Sequence, residues 1–268
     1  MPDFDARSYW EQRLGGHYSL HGVGHLRLGR HFNTWMYRLR RHVFLQRMRG
    51  TGLDFSQFTV LDVGAGTGFY IDRWTELGVH DVVGVDLTEV ATQALRQRYP
   101  HYTFYRVDIG DSVQVLQGRA FDAVSCFDVL FHIVDDDRFE RAVENIASLL
   151  KCGGLFVFSD GFVHPEAMER SIQVPHRVSR PLDYVEDVLK RNGFQIVERR
   201  PMFYLLSEPV DTTSPIARLR WTLSAGPAAV SNSLGYVVGA ALYPIERVLV
   251  DRMTESPAIE MMICHRTA

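Results

Sequence analysis

The sequence contains few cysteines. Only three occur among its 268 residues, and they lie far apart in the chain. Cys126 and Cys264 fall in apolar, strand-like segments, which favours buried, reduced thiols over a disulfide framework. Reduced thiols are typical of a cytoplasmic setting. The acidic start Pro2-Asp3-Phe4-Asp5 is followed by no apolar core, so we expect no secretory signal.

Lysine is scarcer still, because Lys151 and Lys190 are the only two. Arginine supplies nearly all of the positive charge, and the formal net charge of −3 gives no general reason to expect nucleic acid as a partner. The charge is unevenly distributed, however: residues 1–50 carry nine arginines against three acidic residues. Such a basic segment leaves a polymer substrate open as an interpretation, although genome composition explains the arginine content more simply.

A long, uninterrupted apolar run is also missing. Residues 225–250 come nearest, but Pro227, Pro244, Glu246 and Arg247 interrupt them. A membrane-spanning helix needs about 20 predominantly apolar residues, so we expect no transmembrane segment. The stretch is nevertheless too apolar for a free linker, which leaves contact with a lipid surface or an apolar ligand as interpretations.

Residues Val60 to Tyr70, VLDVGAGTGFY, predict a strand that ends in a glycine-rich turn and leads into a helix. Glycines lack a Cβ atom, so this backbone can approach a ligand closely, and the first N–H groups of the helix point to the same place. Further along, the apolar strand Val82–Asp86 ends in an acid placed to accept hydrogen bonds from both ribose hydroxyls of a nucleoside. Together the two features predict a nucleoside cofactor.

The same turn lacks the third glycine of the dinucleotide fingerprint G-x-G-x-x-G, because Phe69 occupies that position. It also carries an acid, Asp62, two residues before its first glycine. An acid there would repel a pyrophosphate at the helix N-terminus, whereas it suits a ligand that carries an ammonium group. The pattern therefore disfavours a nicotinamide dinucleotide.

At these residues the chain resembles the class I S-adenosylmethionine-dependent methyltransferases. Asp62 with the G-x-G-x-G turn matches the first motif of the family, and its later acids fall on Asp86 and Asp108. The segment that follows the fourth strand of the family falls on residues 121–130. The resemblance implies that S-adenosylmethionine is the cofactor and S-adenosylhomocysteine the product.

The resemblance also implies a role for each matching residue. Asp62 would hold the methionine ammonium, directly or through water, Asp86 the ribose and Asp108 the adenine amino group. Leu87 would pack near the adenine, and Ile109 would lie against the plane of the base. The remaining expected cofactor contacts come from the glycine turn and the end of strand four: Gly64, Ala65, Gly66, Gly68 and Phe127.

Strand-like and helix-like segments alternate from residue 51 onward, which predicts an α/β fold. The alternation predicts a doubly wound, Rossmann-like sheet, and the resemblance implies seven strands, six parallel and the seventh antiparallel. The predicted strands are Thr59–Val63, Val82–Asp86, Tyr102–Val107, Ala123–Phe127, Leu155–Ser159, Phe194–Leu206 and Ala258–His265. The predicted helices between them are Phe69–Leu77, Thr88–Tyr99, Ser112–Gln117, Arg138–Leu150 and Asp183–Arg191.

Two further regions are expected around this core. Residues 1–50 predict an N-terminal helical cap on a methyltransferase domain that spans residues 51–268. Strands six and seven are neighbours in the resembled family, yet about fifty residues separate them here. We interpret residues 207–257 as a helical insertion that forms a lid over the substrate or the surface of a homodimer.

Three histidines are candidate catalytic residues. Methyl transfer to a hydroxyl needs alignment, exclusion of water and removal of a proton, and ligands of open α/β sheets lie beyond the carboxyl ends of the strands. His132 follows strand four and is the first candidate for a general base, because histidine titrates near neutral pH; a structural role in its loop is the alternative. His164 and His176, together with Asp128 and Asp160, compete for the role.

No metal site is expected. His17, His21 and His25 are four residues apart, but glycines around them argue against a continuous helix. The acidic run 135–137 predicts a helix start, with Asp137 and Glu140 as a capping box. No Asp-Asn pair occurs where a magnesium site would need it, so we prefer the capping interpretation.

The sequence therefore predicts an S-adenosylmethionine-dependent methyltransferase that acts on a small molecule. We expect O-methylation of a natural product, sugar or lipid-like acceptor by direct in-line transfer, and no nucleic acid partner. Phe127-Asp128-Val129-Leu130 replaces the Asn-Pro-Pro-Tyr type of segment that amide-directed enzymes of nucleic acids and proteins often carry, which disfavours methylation of amide or base nitrogens. The alternatives are an RNA or protein methyltransferase that uses the basic N-terminal segment, and a non-catalytic, cofactor-binding subunit.

Overall fold

A computed structural model describes residues 4–168 and 174–267 of the chain. Its centre is a seven-stranded sheet in the order β3-β2-β1-β4-β5-β7-β6, in which β7 runs antiparallel to both of its neighbours and the other pairs are parallel. The strands are β1 Thr59–Val63, β2 Asp81–Asp86, β3 Thr103–Arg106, β4 Phe121–Phe127, β5 Leu150–Asp160, β6 Phe194–Pro201 and β7 Glu260–Arg266. The predicted Rossmann-like sheet with an antiparallel strand seven is confirmed.

Helices flank both faces of this sheet. The helices of the described residues are α1 Ala6–Gly16, α2 Leu20–Val23, α3 Gly29–Gly50, α4 Phe69–Glu76, α5 Glu89–Arg98, α6 Asp136–Leu149, α7 Pro165–Met168, α8 Leu182–Arg191, α9 Pro215–Val230 and α10 Asn232–Arg252.

Alternation along the strands produces two apolar layers. Val60 in β1 belongs to the layer that packs against α3 and α4, whereas its neighbour Leu61 belongs to the layer that packs against α6 and α8. Because parallel strands are covered by helices on both faces, their sequences are apolar at nearly every position. The sheet is thus held rigidly, and its carboxyl edge carries the loops that follow β1, β2, β3 and β4.

Three local predictions are wrong, each for a physical reason. Helix α6 is capped by Asp135, which accepts a hydrogen bond from the Arg138 N–H at 2.9 Å, so Asp137 already lies in the first turn. The predicted helix Ser112–Gln117 is a single 3₁₀ turn, Gln114–Leu116, because Leu116 alone supplies a buried anchor. Strand β6 ends at Pro201 rather than Leu206.

The early end of β6 has its own cause. The N–H groups of Tyr204, Leu205 and Leu206 donate to the buried carboxylate of Glu246 in α10, at 2.7 to 3.1 Å, instead of to a neighbouring strand. Three backbone donors on one carboxylate fix the insertion to the sheet edge.

The insertion forms a helical hairpin. Helices α9 and α10 are joined at Ser231, and α10 packs along α3 of the N-terminal cap. The Trp35 ring of α3 lies so close to Gly239 that a Cβ atom there would come within 2.3 Å of it. Glycine at this position therefore allows the two helices to approach each other.

Candidate active site

The glycine turn after β1 has backbone angles that favour glycine. Gly64, Gly66 and Gly68 have φ values of 70°, 52° and 80°, a region that side chains with a Cβ atom rarely adopt. The N–H groups of Gly64 and Ala65 donate to the Val85 carbonyl of β2 at 2.8 and 3.0 Å. A Cβ atom on Gly64 would lie 2.2 Å from Val129. The turn is therefore tied to β2 and packed against the loop after β4.

Asp86 closes this turn from the end of β2. Its carboxylate is buried and accepts hydrogen bonds from the Gly66 N–H at 2.8 Å and from the N–H and hydroxyl of Thr88 at 2.9 and 2.7 Å. Burial raises the pKa of Asp86, while these three donors act in the opposite direction. The network fixes the carboxylate at the edge of the cavity described next.

A cavity of about 820 Å³ opens at the carboxyl edge of the sheet. Its volume is in the range of ligand sites. The predicted cofactor residues that line it are Gly64, Ala65, Gly66, Asp86, Leu87, Asp108, Ile109 and Phe127. The structure therefore brings eight of the ten residues together around one space.

Asp62 and Gly68 do not line the cavity. The Asp62 side chain is buried within the sheet and accepts a hydrogen bond from the Ser125 hydroxyl at 2.6 Å; Ser125 in turn accepts one from the Trp74 indole N–H at 2.9 Å. Burial raises the pKa of Asp62 to about 7. Gly68 is covered by Tyr99, whose ring lies 2.7 Å from the position of a Cβ atom. Both residues support the turn from behind.

Asp108 lines the cavity just after the end of β3. It forms an ion pair with Arg138 of α6 at 2.5 Å and accepts the Gly110 N–H at 3.1 Å. Arg138 also lines the cavity and had no signal of its own in the sequence, because an arginine in a helical first turn is ordinary.

The N-terminal cap closes over the glycine turn. The Glu11 carboxylate of α1 accepts the N–H groups of Glu89 and Val90, at 2.8 and 3.0 Å, at the start of α5. This contact complements the positive end of the α5 dipole. The Tyr18 hydroxyl donates to the Gly66 carbonyl at 3.0 Å. Helix α1 and the two residues before it supply further lining residues: Phe4, Asp5, Ala6, Arg7, Trp10 and Leu14.

Asp128 occupies an unusual position after β4. It is the one non-glycine residue with positive φ in the described residues, at 57°. Arg40 of α3 pairs with its carboxylate at 2.5 Å, and the Ser159 hydroxyl donates to it at 3.0 Å. Arg40 is buried, and Asp128 raises the pKa of its guanidinium despite desolvation. Sequence reasoning missed Arg40, although its place on the apolar face of α3 was a possible signal.

Of the three candidate histidines, His132 lines the cavity. Its Nδ1 lies 2.5 Å from the His176 carbonyl oxygen, and because a carbonyl only accepts, this nitrogen carries the proton. The Trp10 ring contacts His132 edge-on at 4.9 Å between centroids. Burial lowers the pKa of His132 to about 3, so the imidazole is neutral at physiological pH and its Nε2 has a free lone pair.

The structure does not bring the other two histidines to the cavity. His164 bonds to Asp211 at 2.7 Å, and this partner raises its pKa. The His176 ring stacks on Tyr9 at 5.0 Å, so its contribution near the cavity is its backbone carbonyl. None of residues 207–257 lines the cavity either; the insertion packs against α3 instead.

No cluster of three metal-ligating side chains occurs among residues 4–168 and 174–267. In the segment of spaced histidines, His21 bonds to the Leu26 carbonyl at 2.9 Å. The His25 ring is largely buried, which lowers its pKa to about 4. The cavity itself is acidic, with seven aspartates against three arginines: Asp5, Asp86, Asp108, Asp111, Asp128, Asp135 and Asp137, with Arg7, Arg138 and Arg141.

Comparisons with known proteins show which families and structures this chain is similar to. A family model described as a methyltransferase domain matches residues 60–154. The ubiquinone biosynthesis O-methyltransferase of Albidiferax ferrireducens is 33% identical over 105 residues, which cover 37% of this chain and 40% of that protein. The mRNA cap guanine-N(7) methyltransferase of Caenorhabditis elegans is 28% identical over 143 residues, which cover 48% and 37%. The chain thus spans about two fifths of the length of these curated relatives.

A solved structure supports the same assignment at the level of the fold. Magnesium protoporphyrin IX methyltransferase from Synechocystis PCC 6803, with bound S-adenosylmethionine, superposes with a TM-score of 0.59 at 14% identity over 100% of both chains. The glycine turn that a Cβ atom would fill, and the carboxylates at the ends of β2 and β3, fit S-adenosylmethionine as the cofactor. Residues 60–154 therefore match a methyltransferase domain, and the chain has the fold of the class I S-adenosylmethionine-dependent methyltransferases.

Proposed function

We propose that the protein methylates an oxygen atom of a small-molecule acceptor, such as a natural product, a sugar or a lipid-like molecule. The observation that carries this proposal is the part of the cavity lining that lies outside the predicted cofactor residues. Trp10 of α1 and His132 of the loop after β4 face the same space as the cofactor residues. This space, enclosed by the cap, suits a small acceptor better than a polymer.

Binding roles on the cofactor side follow from the lining residues. Asp86 is placed to accept the ribose hydroxyls, and Asp108 to accept the adenine amino group. Leu87 and Ile109 supply apolar contacts for the base. Because Asp62 is turned away from the cavity and bonded to Ser125, we propose that it acts on the methionine end through the backbone of the glycine turn.

His132 is our candidate for the group that receives the acceptor proton. When bound, S-adenosylmethionine supplies a methyl group that forms a bond to the acceptor oxygen, while the electrons of the broken C–S bond stay on sulfur and the oxygen loses its proton. The Nε2 lone pair of His132 is free because Nδ1 is held by the His176 carbonyl. Its low pKa makes it a weak base, which favours an acceptor with an acidic hydroxyl, such as a phenol.

The acidic cavity disfavours RNA as the acceptor. Seven aspartates against three arginines would repel a phosphate chain, whose binding depends on basic contacts. Several arginines of the N-terminal segment are also engaged within the protein: Arg13 donates to the Gly22 and Gly24 carbonyls, and Arg47 to the Val250 carbonyl. A small oxygen acceptor, as in the name of the ubiquinone-pathway relative, fits better.

The proposal is tested by methyl transfer from labelled S-adenosylmethionine to phenols, sugars, hydroxylated lipids and capped RNA. Native mass spectrometry of the purified protein would first identify any retained acceptor. We expect His132→Ala to lower kcat by about 100-fold without loss of S-adenosylhomocysteine affinity, whereas the matched variant His164→Ala keeps its activity.

Three outcomes would contradict parts of this proposal. Full turnover by His132→Ala would remove His132 as the proton acceptor. Transfer to capped RNA alone would replace the small acceptor by a polymer. Cofactor binding without turnover, in a stable complex with another protein, would favour a non-catalytic subunit.

A further inference from the structure

Each helix of the α9–α10 hairpin carries a stripe of exposed apolar residues. In α9, exposed residues recur at spacings of three, four and seven, which places them on one stripe of the helix. In α10, exposed residues recur at spacings of three, four, four and three. The stripes consist of Ile216, Leu219, Leu223 and Val230 in α9, and of Leu234, Val237, Ala241, Ile245 and Val248 in α10.

These side chains are unusually exposed for their type. Ile216 is 68% exposed, Leu223 66% and Val230 84%. Contiguous exposed apolar surface of this kind marks a contact with a partner or a membrane. The inner sides of the same helices are already used, because they pack against α3 and on each other.

The charges around the hairpin are strongly one-sided. Residues 12–53, which include α3, together with the hairpin residues 215–252 contain 12 arginines and two acidic residues. The rest of the chain contains 17 basic and 30 acidic residues. Arg40, Arg41 and Arg47 form ion pairs with acidic residues outside this layer. The other nine arginines still outnumber the two acidic residues, so the helical layer is the positive part of the protein.

One of the two acidic residues of this layer is withdrawn from its surface. The Glu246 carboxylate is buried under the three N–H groups of residues 204–206. Asp251 is exposed, 3.3 Å from His42 of α3, and is outnumbered by the arginines of the hairpin. Arg220 follows directly after Leu219 in the α9 stripe, and Arg252 extends the α10 stripe at its C-terminal end; both are exposed.

We propose that the α9–α10 hairpin docks on the surface of a bilayer that contains anionic phospholipid. The two apolar stripes would enter the boundary between head groups and acyl chains, and the flanking arginines would contact lipid phosphates. A second copy of this chain is a poorer occupant, because a two-fold contact brings each patch against itself. That contact would bring the arginines of two positive layers together.

The hairpin lies on the bilayer rather than across it. In the described part of the chain, α10 is the one helix whose length and apolar composition would allow it to cross a membrane, and 22% of that stretch is buried. Crossing would separate Trp35 from Gly239, and it would release Glu246 from the N–H groups of residues 204–206. Surface docking keeps all of these contacts, and it does not depend on which acceptor is methylated.

The test is sedimentation of the full chain with vesicles of phosphatidylcholine alone or with about 30% phosphatidylserine. We expect binding to the anionic vesicles, weakened by salt, and about tenfold weaker binding for Leu219→Ser/Leu223→Ser. The matched control is Val115→Ser/Val197→Ser, which removes two exposed apolar side chains outside the hairpin. It should bind like the unaltered chain.

A charge variant separates the contribution of the arginines from that of the apolar side chains. Arg220→Gln/Arg252→Gln should lose the preference for phosphatidylserine while it keeps its melting temperature. Equal binding to both vesicle types by the unaltered chain, or no binding to either, would overturn the proposal. A dimer in light scattering that Leu219→Ser/Leu223→Ser converts to a monomer would instead assign the face to a second copy.

Discussion

The two halves of the cavity are built in different ways. On the cofactor side, Asp86 and the glycine turn come from the ends of paired neighbouring strands, and neutral backbone and hydroxyl donors satisfy the carboxylate. On the acceptor side, Trp10 and Asp128 come from distant parts of the chain, and Arg40, a buried arginine outside the cavity lining, pairs with the Asp128 carboxylate. The strand ends supply the first half, whereas the second also needs the docked cap.

This difference has a consequence for specificity. Substitutions in α1 or α3 can alter the acceptor side without moving a strand, so one cofactor site can be combined with many acceptor pockets. Three variants test whether the cofactor side and the acceptor side of the cavity are independent of each other.

Arg40→Met is expected to have the largest effect. It leaves the Asp128 carboxylate unpaired at a positive φ, and loss of one partner of a buried pair costs about 3 to 5 kcal/mol of unfolding free energy. Affinity for S-adenosylhomocysteine should change little, because Arg40 does not line the cavity. Urea unfolding and titration calorimetry measure the two quantities, with the exposed Arg38→Met on the same helix as control. A large loss of affinity for S-adenosylhomocysteine would show that the two sides of the cavity are not independent.

Asp62→Asn is expected to stabilise the unliganded protein in a pH-dependent way. The pKa of Asp62 is raised to about 7, so between pH 4 and 7 the unfolded state loses a proton that the folded state retains, and the stability contributed by Asp62 falls as pH rises. The variant should gain nothing near pH 4 and about 4 kcal/mol above pH 7.

Unfolding measured across this pH range tests the Asp62 prediction. Asp54, whose pKa is lowered by its hydrogen bonds to Ser56, provides a control with the opposite sign: Asp54→Asn should lose stability above pH 4. A pH-independent effect of Asp62→Asn would show that Asp62 is ionised in the folded protein.

Asp86→Ala should have the opposite pattern to Arg40→Met, because it alters the cofactor side and leaves the acceptor side in place. It removes the proposed ribose acceptor, and loss of charged hydrogen bonds should weaken S-adenosylhomocysteine binding by about 100-fold. The Arg40–Asp128 pair should persist, and binding of an identified acceptor should change less than that of the cofactor. Calorimetry with each ligand separately is the measurement. Unchanged cofactor affinity would remove Asp86 from the ribose site.

The same contrast explains what the sequence could predict. The core strands and the placement of Asp86, Leu87 and Ile109 follow from local motifs, because the carboxyl ends of parallel strands lie at one edge of the sheet. The inward turn of Asp62 depends on Ser125 of the adjacent strand, 63 residues away. No local pattern carries that information.

Long-range contacts also determine where the N-terminal cap and the insertion pack. The pairing of Arg40 with Asp128, and of Glu11 with the start of α5, joins segments that the sequence separates by more than 70 residues. An apolar insertion is equally compatible with a lid over the substrate and with the surface of a homodimer. Its packing against α3 through Trp35 and Gly239 is a contact that only the folded chain shows.

The hydrogen bonds from Trp74 through Ser125 to Asp62 give the protein an optical reporter. The buried indole of Trp74 is linked by two hydrogen bonds to a carboxyl that titrates near neutral pH and lies directly behind the glycine turn. A proton gained or lost at Asp62 changes the electric field at that indole. The fluorescence of Trp74 therefore follows the charge behind the cofactor site without any added label.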